Sequence, residues 1–195
     1  MNADKQLTAM VVHESMFNNT AVIADAVARG LALEGLVVSG TDVAEVPDLD
    51  SVAVDLLVVG APTHAFSLSR PSTREDAVRQ GAPDDRTRTG VREWLQSASP
   101  LGADRTCMAA MFDTRVRKVR HLPMSAGTRG RHVLQRLGFT VLARPEGFVV
   151  DDVRGPLIEG EVERAVTWGR DLARLCQQRR AADEAAAGGH VTAEQ

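Results

Sequence analysis

A chain of 195 residues with 44% hydrophobic and 25% charged residues carries enough apolar material for one domain with a sizeable core. A formal net charge of −3 argues against a protein devoted to nucleic acid, and no apolar run is long enough to cross a bilayer. Residues 1–6 are polar rather than the apolar core of a secretory signal, so the expected location is cytoplasmic. The two cysteines, Cys107 and Cys176, lie far apart inside apolar patterns, which suits buried thiols better than a disulfide or metal site. No metal is expected.

In chain order, residues 7–12 form an almost unbroken apolar run, the signature of a strand covered on both faces. A short polar loop follows. From Thr20 onward Ile23, Val27, Gly30 and Leu31 recur at helical spacing, with Gly35 as the stop. Residues 36–41 predict a second, weaker strand, and 43–54 a loop with a short acidic helix. The clearest buried strand is 55–60, which ends in the turn Ala61-Pro62-Thr63-His64-Ala65-Phe66. Segment 67–89 lacks sustained periodicity and predicts a long surface loop with a helical fragment around 73–80.

Val91, Trp94 and Leu95 mark a third helix, and 106–112 a fourth buried strand whose exit, 113–124, is basic. Ser125 or Thr128 is placed to cap a helix that turns Val133, Leu134 and Leu137 inward and closes at Gly138. A fifth strand at 139–142 meets Pro145, which predicts an edge or split strand resuming at 148–150. The last helix begins near Glu159, with Val162, Val166, Gly169, Ala173 and Cys176 on one face. Residues 1–179 are expected as a single domain, and the Ala-, Gly- and Glu-rich stretch 180–195 as a disordered tail.

Buried strands alternating with amphipathic helices give an α/β protein with a parallel sheet covered on both faces and right-handed crossovers. In such a sheet a ligand sits beyond the strand C-termini where strand order reverses, which brings together the loops at 13–20 and 61–67. In the first loop Ser15 and Thr20 offer hydroxyls, and the N–H groups of 17–20 add fixed dipoles that suit an anion. Asn18 tolerates positive φ. An alternative is open at this point: Asn18, Asn19 and Thr20 also suit a plain helix cap.

At these residues the chain resembles the flavodoxin-like family. The family's phosphate loop reads Ser/Thr-x-Thr-Gly-x-Thr after strand one, and the matching stretch is Ser15-Met16-Phe17-Asn18-Asn19-Thr20. The outer hydroxyls are kept, Phe17 replaces the central Thr and Asn18 replaces the Gly. The turn Gly60-Ala61-Pro62-Thr63-His64-Ala65-Phe66 is similar to the family's strand-three exit. His64 stands where a residue approaches the isoalloxazine, with Phe66 as an apolar wall. The third match is Phe112-Asp113-Thr114-Arg115, followed after a basic insertion by Ser125-Ala126-Gly127-Thr128; the resemblance places Asp113 and Thr114 nearest the ring.

The resemblance covers about residues 7–175. It implies the flavodoxin-like three-layer sandwich, a five-stranded parallel sheet in the order 2-1-3-4-5, and noncovalent FMN. The binding set it implies is Ser15, Met16, Phe17, Asn18, Asn19, Thr20, Pro62, Thr63, His64, Ala65, Phe66, Phe112, Asp113 and Thr114. The implied role is electron transfer or flavin-dependent oxidoreductase chemistry, with a redox protein or a nicotinamide cofactor as partner and neither nucleic acid nor membrane. A second function stands beside it, a flavin-free scaffold that binds a partner or regulates, favoured by Phe17, Asn18 and the absence of Tyr. The isolated histidines at 13, 64, 121, 132 and 190 form no triad or ligand set, so any chemistry belongs to the cofactor. Arg115, Arg117, Lys118, Arg120 and His121, with Arg70 and Arg74, either steer an anionic partner or form a solvated surface.

Overall fold

The computed structural model describes residues 6–102, 107–121 and 124–189. Strands β1 (Thr8–His13), β2 (Val37–Asp42), β3 (Leu56–Pro62), β4 (Met108–Val116), β5 (Thr140–Val141) and β6 (Glu146–Val150) form one parallel sheet. Its order is β2-β1-β3-β4-β5, with β6 also paired to β4. Helices α1 (Asn19–Leu33) and α5 (Glu161–Gly189) cover one face. The other face is covered by α3 (Val91–Gln96) and α4 (Ala126–Arg136). This is the flavodoxin-like α/β sandwich, with one strand more than five.

The extra strand has a local cause. β5 pairs with the start of β4, Met108↔Thr140, and β6 with its end, from Phe112↔Glu146 to Val116↔Val150. Both therefore occupy one edge position, interrupted just before β6 by Pro145, which has no N–H for the ladder. Pairing with β6 also lengthens β4. Asp113 and Thr114, expected at a strand exit, are strand residues. Thr106, expected to open this strand, lies outside the described residues.

Strand alternation sorts the core into two halves. Val11, Val58, Ala110 and Phe112 face α1 and α5, whereas Val12, Val59, Ala109 and Met111 face α3 and α4. Helix α1 buries Ile23, Val27, Gly30 and Leu31 and stops where Gly35, at φ 89°, lets the Leu36 N–H return to the Leu31 carbonyl. It crosses α5 backbone to backbone, since a Cβ on Gly30 would lie 2.2 Å from the Val166 carbonyl oxygen. Helix α4 starts at Ser125, whose Oγ accepts from the Thr128 N–H.

Two regions differ from expectation. Segment 67–89 contains the expected helical fragment, as α2 (Pro71–Arg79) with Pro at its first turn, but it is tied down rather than a surface loop: Arg74 is fully buried, donating to Ser69 Oγ at 2.9 Å and Glu93 Oε2 at 3.1 Å. A 3-10 turn, Asp84–Thr87, follows. The stretch expected as a disordered tail continues α5 as far as Gly189, and 190–195 lie outside the described residues. Ala, Glu and Arg are strong helix formers, and the pairs Arg179–Asp183 and Arg180–Glu184 stand one turn apart. Arg180 also reaches Asp55 at 3.4 Å.

Candidate cofactor cleft

Strand order reverses between β1 and β3, and their C-terminal ends deliver the 14–19 loop and the 63–67 turn to one side of the sheet. In the first loop Asn18 adopts φ 67°, the left-handed conformation that Asn tolerates, and its carbonyl accepts from the Val22 N–H at 3.1 Å. Ser15 Oγ accepts from the Ala21 N–H at 3.2 Å. The hydroxyls of Thr20 and Thr114 share a hydrogen bond of 2.8 Å. The N–H groups of Phe17, Asn18, Asn19 and Thr20 have no acceptor among the described residues, so the start of α1 presents four open donors.

The second loop is a tight reversal. His64 N–H donates to the Ser67 carbonyl at 2.9 Å and Ser67 N–H to the His64 carbonyl at 3.0 Å, with Ala65 and Phe66 at φ 45° and 63°. Positive φ at both central residues is the turn geometry that Gly and Asn ordinarily supply, so this turn stores backbone strain next to the cleft. Thr63 Oγ1 accepts from the Ala126 N–H at 3.0 Å and links the turn to α4. Burial, and then the positive charge of Arg74, hold the His64 imidazole below its ordinary value against a hydrogen bond to the Thr73 backbone. His64 is therefore neutral at pH 7.

Between the loops lies a cleft of about 250 Å³. Of the residues singled out from the sequence, Met16, Phe17, Asn19, Thr20, Pro62, Thr63, His64, Ala65 and Thr114 line it together. Ser15, Asn18, Phe66, Phe112 and Asp113 do not. Phe66 is exposed to solvent. The Phe112 ring is fully buried in an aromatic cluster, edge-on to Phe148 at 5.9 Å and to Trp168 at 6.0 Å. Asp113 is fully buried too, holding Arg115 Nε and Nη2 at 2.6 Å each and accepting from the Gly127 N–H at 3.1 Å.

The two are displaced from the cleft for different reasons. Their strand continues past the expected exit, which turns Asp113 to the face opposite Thr114, whereas Phe112, on the same face as Thr114, lies two residues deeper in the strand and packs into the aromatic cluster. Asp113 instead holds the guanidinium of Arg115, a residue that forms part of the cleft wall. The sequence shows the helical fragment at 73–80 but not that it walls the cleft: Thr73, Asp76, Ala77 and Gln80 come from α2 or its end, Val116 from the end of β4, and Val150 and Val153 from the end of β6 and beyond. Pro71 at a helix start was the available signal for α2. Ala77 packs on Met16, so α2 closes against the first loop.

No family model matches the chain, and no curated protein does. Solved structures do. A flavodoxin from the domain Archaea matches at TM-score 0.60 and 16% identity, over 88% of this chain and 99% of that one. A short-chain flavodoxin associated with a PDU bacterial microcompartment matches at TM-score 0.62 and 18% identity, over 88% and 99%. The rubredoxin oxygen:oxidoreductase of Desulfovibrio gigas matches at TM-score 0.56 and 16% identity, over 89% of this chain and 37% of that larger one. The fold is thus flavodoxin-like. Among the described residues no helix is long and apolar enough to cross a membrane, and no group of three or more His, Cys, Asp or Glu residues could hold a metal ion.

Proposed function

We propose that the cleft binds FMN noncovalently and that the protein serves electron transfer or flavin-dependent redox chemistry. The observation that carries this reading is the run of open N–H donors at the start of α1, where Phe17, Asn19 and Thr20 border the same cleft as the 62–65 turn. The donor set fits a phosphate. Backbone N–H groups supply fixed dipoles at the positive end of α1, and the buried Ser15 hydroxyl, outside the cleft lining, accepts from the Ala21 N–H and holds the loop that carries them. The ring system fits the other end, where Pro62, Ala65 and the uncharged His64 offer flat or apolar contact.

When bound, the flavin supplies the electron-accepting chemistry. The chain's own residues bind and orient it: the first loop anchors the phosphate, the strained 64–67 turn fixes the approach of His64, and Asp113 sets the direction of Arg115. At about 250 Å³ the cleft lies just under the usual ligand range of about 300–1,000 Å³, so it would leave part of an FMN uncovered and open to a redox protein or a nicotinamide cofactor.

A flavin-free scaffold is the competing reading. It is favoured by Asp76, an acidic group in the same cleft, and by the pairing of Thr20 with Thr114. The two separate in one experiment: the visible spectrum of the purified chain, followed by titration of FMN with flavin fluorescence as readout. We expect saturable quenching at micromolar concentration. Ser15→Ala with Thr20→Ala weakens it at least about 10-fold, the equivalent of one lost charge-assisted hydrogen bond, whereas His121→Ala leaves it unchanged. A colourless protein that does not alter FMN fluorescence decides for the scaffold.

A further inference from the structure

Away from the cleft, beyond the 67–69 segment, three arginines gather around one hollow. Arg92 of α3 and Arg129 and Arg136 of α4 line a cavity of about 160 Å³ together with Leu68, Gln96 and Val133. Arg129 and Arg136 are seven residues apart, two helical turns, and so lie on one side of α4. Arg92 is braced: Nε donates to the Ser69 carbonyl at 2.7 Å, and Nη2 to the Leu68 carbonyl at 2.6 Å and to Ser67 Oγ at 3.1 Å. Its Nη1 has no acceptor among the described residues, and Arg92, Arg129 and Arg136 form no ion pair there.

Elsewhere on this chain arginines pair with carboxylates, as Arg170 and Arg174 do with Glu34. Here like charges face one another across a concave surface. Burial holds the Arg92 guanidinium below its ordinary value, and the charges of Arg70 and Arg129 push the same way against Glu93 and Glu14. An anion in the cavity removes that repulsion. Guanidinium forks match phosphate oxygens geometrically, the bracing of Arg92 lowers the entropy lost on binding, and the apolar walls Leu68 and Val133 strengthen the attraction. A hollow of this size admits a small ion or the head of a small molecule rather than a protein segment.

We propose that this arginine cavity binds a phosphate dianion, free or as the monoester of a small metabolite, at a site separate from the cleft beyond β1 and β3. The site goes beyond the flavin reading and does not depend on it. The bound group lies against α3 and α4 and against the 67–69 segment, so occupancy locks together the elements that flank the His64 turn.

The test is calorimetric titration of the full chain with inorganic phosphate and, separately, with glycerol 3-phosphate, at ionic strength fixed with sodium chloride. Saturable binding is expected with at least one of the two, and which one binds identifies the source of the group. Arg129→Gln with Arg136→Gln, two exposed side chains with no side-chain hydrogen bond among the described residues, weakens it at least about 10-fold. Lys118→Gln leaves it unchanged, as does Ser15→Ala with Thr20→Ala, which separates this site from the flavin phosphate loop. Absence of saturable binding by either compound up to about 10 mM overturns the proposal, since a site that weak adds little stability at cellular ligand levels. Undiminished binding in the double arginine variant, or its loss in the Ser15/Thr20 variant, also overturns it.

Discussion

Gly60, near the end of β3, tests whether Phe112 belongs to the core or to the cleft. An ideal Cβ at Gly60 would lie 2.1 Å from Phe112 Cζ and 2.5 and 2.6 Å from its two Cε atoms. Carbon atoms rest at about 3.5–4.0 Å, so the ring has to retreat by roughly 1.5 Å. Phe148 and Trp168 stand edge-on against it, and Arg164 lies 4.4 Å over the Phe148 ring, which closes the route of escape. Gly60→Ala should therefore cost about 2–3 kcal/mol, the upper part of the usual overpacking range, even though Ala in a strand recovers about 0.5–1 kcal/mol relative to Gly. Phe112→Leu alone should cost about 1–2 kcal/mol, below the 3–5 kcal/mol of truncation to Ala.

Combined, the two changes relieve each other. The double variant should be no less stable than Gly60→Ala alone, a coupling of about 1–2 kcal/mol, measured by urea denaturation at 25 °C with Trp fluorescence. Additivity within about 0.5 kcal/mol would refute the placement of Phe112 over Gly60 and reopen the cofactor role implied by the family resemblance.

Two further outcomes follow from packing and titration. Gly30→Ala sets a methyl 2.2 Å from the Val166 carbonyl oxygen, a backbone atom that cannot rotate away, so the α1–α5 crossing must open. We expect a loss of at least about 2 kcal/mol and a fall of about 4–8 °C in Tm, while Gly102→Ala, with nothing within 4 Å, stays within about 0.5 kcal/mol. Burial depresses both His13 and His64 below the ordinary 6.5, so the unfolded chain binds their protons first. Their contribution to stability is present above pH 6.5 and is lost as pH falls through the lower folded values. Glu14 runs the other way, because burial raises its carboxyl and its contribution is lost as pH rises through the raised value. The urea midpoint of the His13→Gln, His64→Gln variant should accordingly fall less than that of the parent between pH 7 and pH 5; an identical decline would mean that neither imidazole is shifted.

The sequence by itself determined the alternation of elements and the reversal point between β1 and β3. Buried parallel strands read as apolar runs such as 55–60, and amphipathic helices repeat as Ile23, Val27 and Leu31 do; both are local patterns. Local chemistry also fixed the positive φ at Asn18, the cap at Ser125 and the interruption at Pro145. What only the tertiary structure decided was partnership. β4 continues through Asp113 and Thr114 because β3 and β6 pair with it on either side, and that continuation turns Asp113 away from the cleft, while the aromatic cluster takes Phe112 into the core. Segment 67–89 carries no sustained periodicity, yet a buried Arg74 anchors it, and Ala77 meets Met16 to complete the cleft. Such contacts join residues far apart in the chain, and a buried charge with its partners leaves no period in the sequence by which to see it.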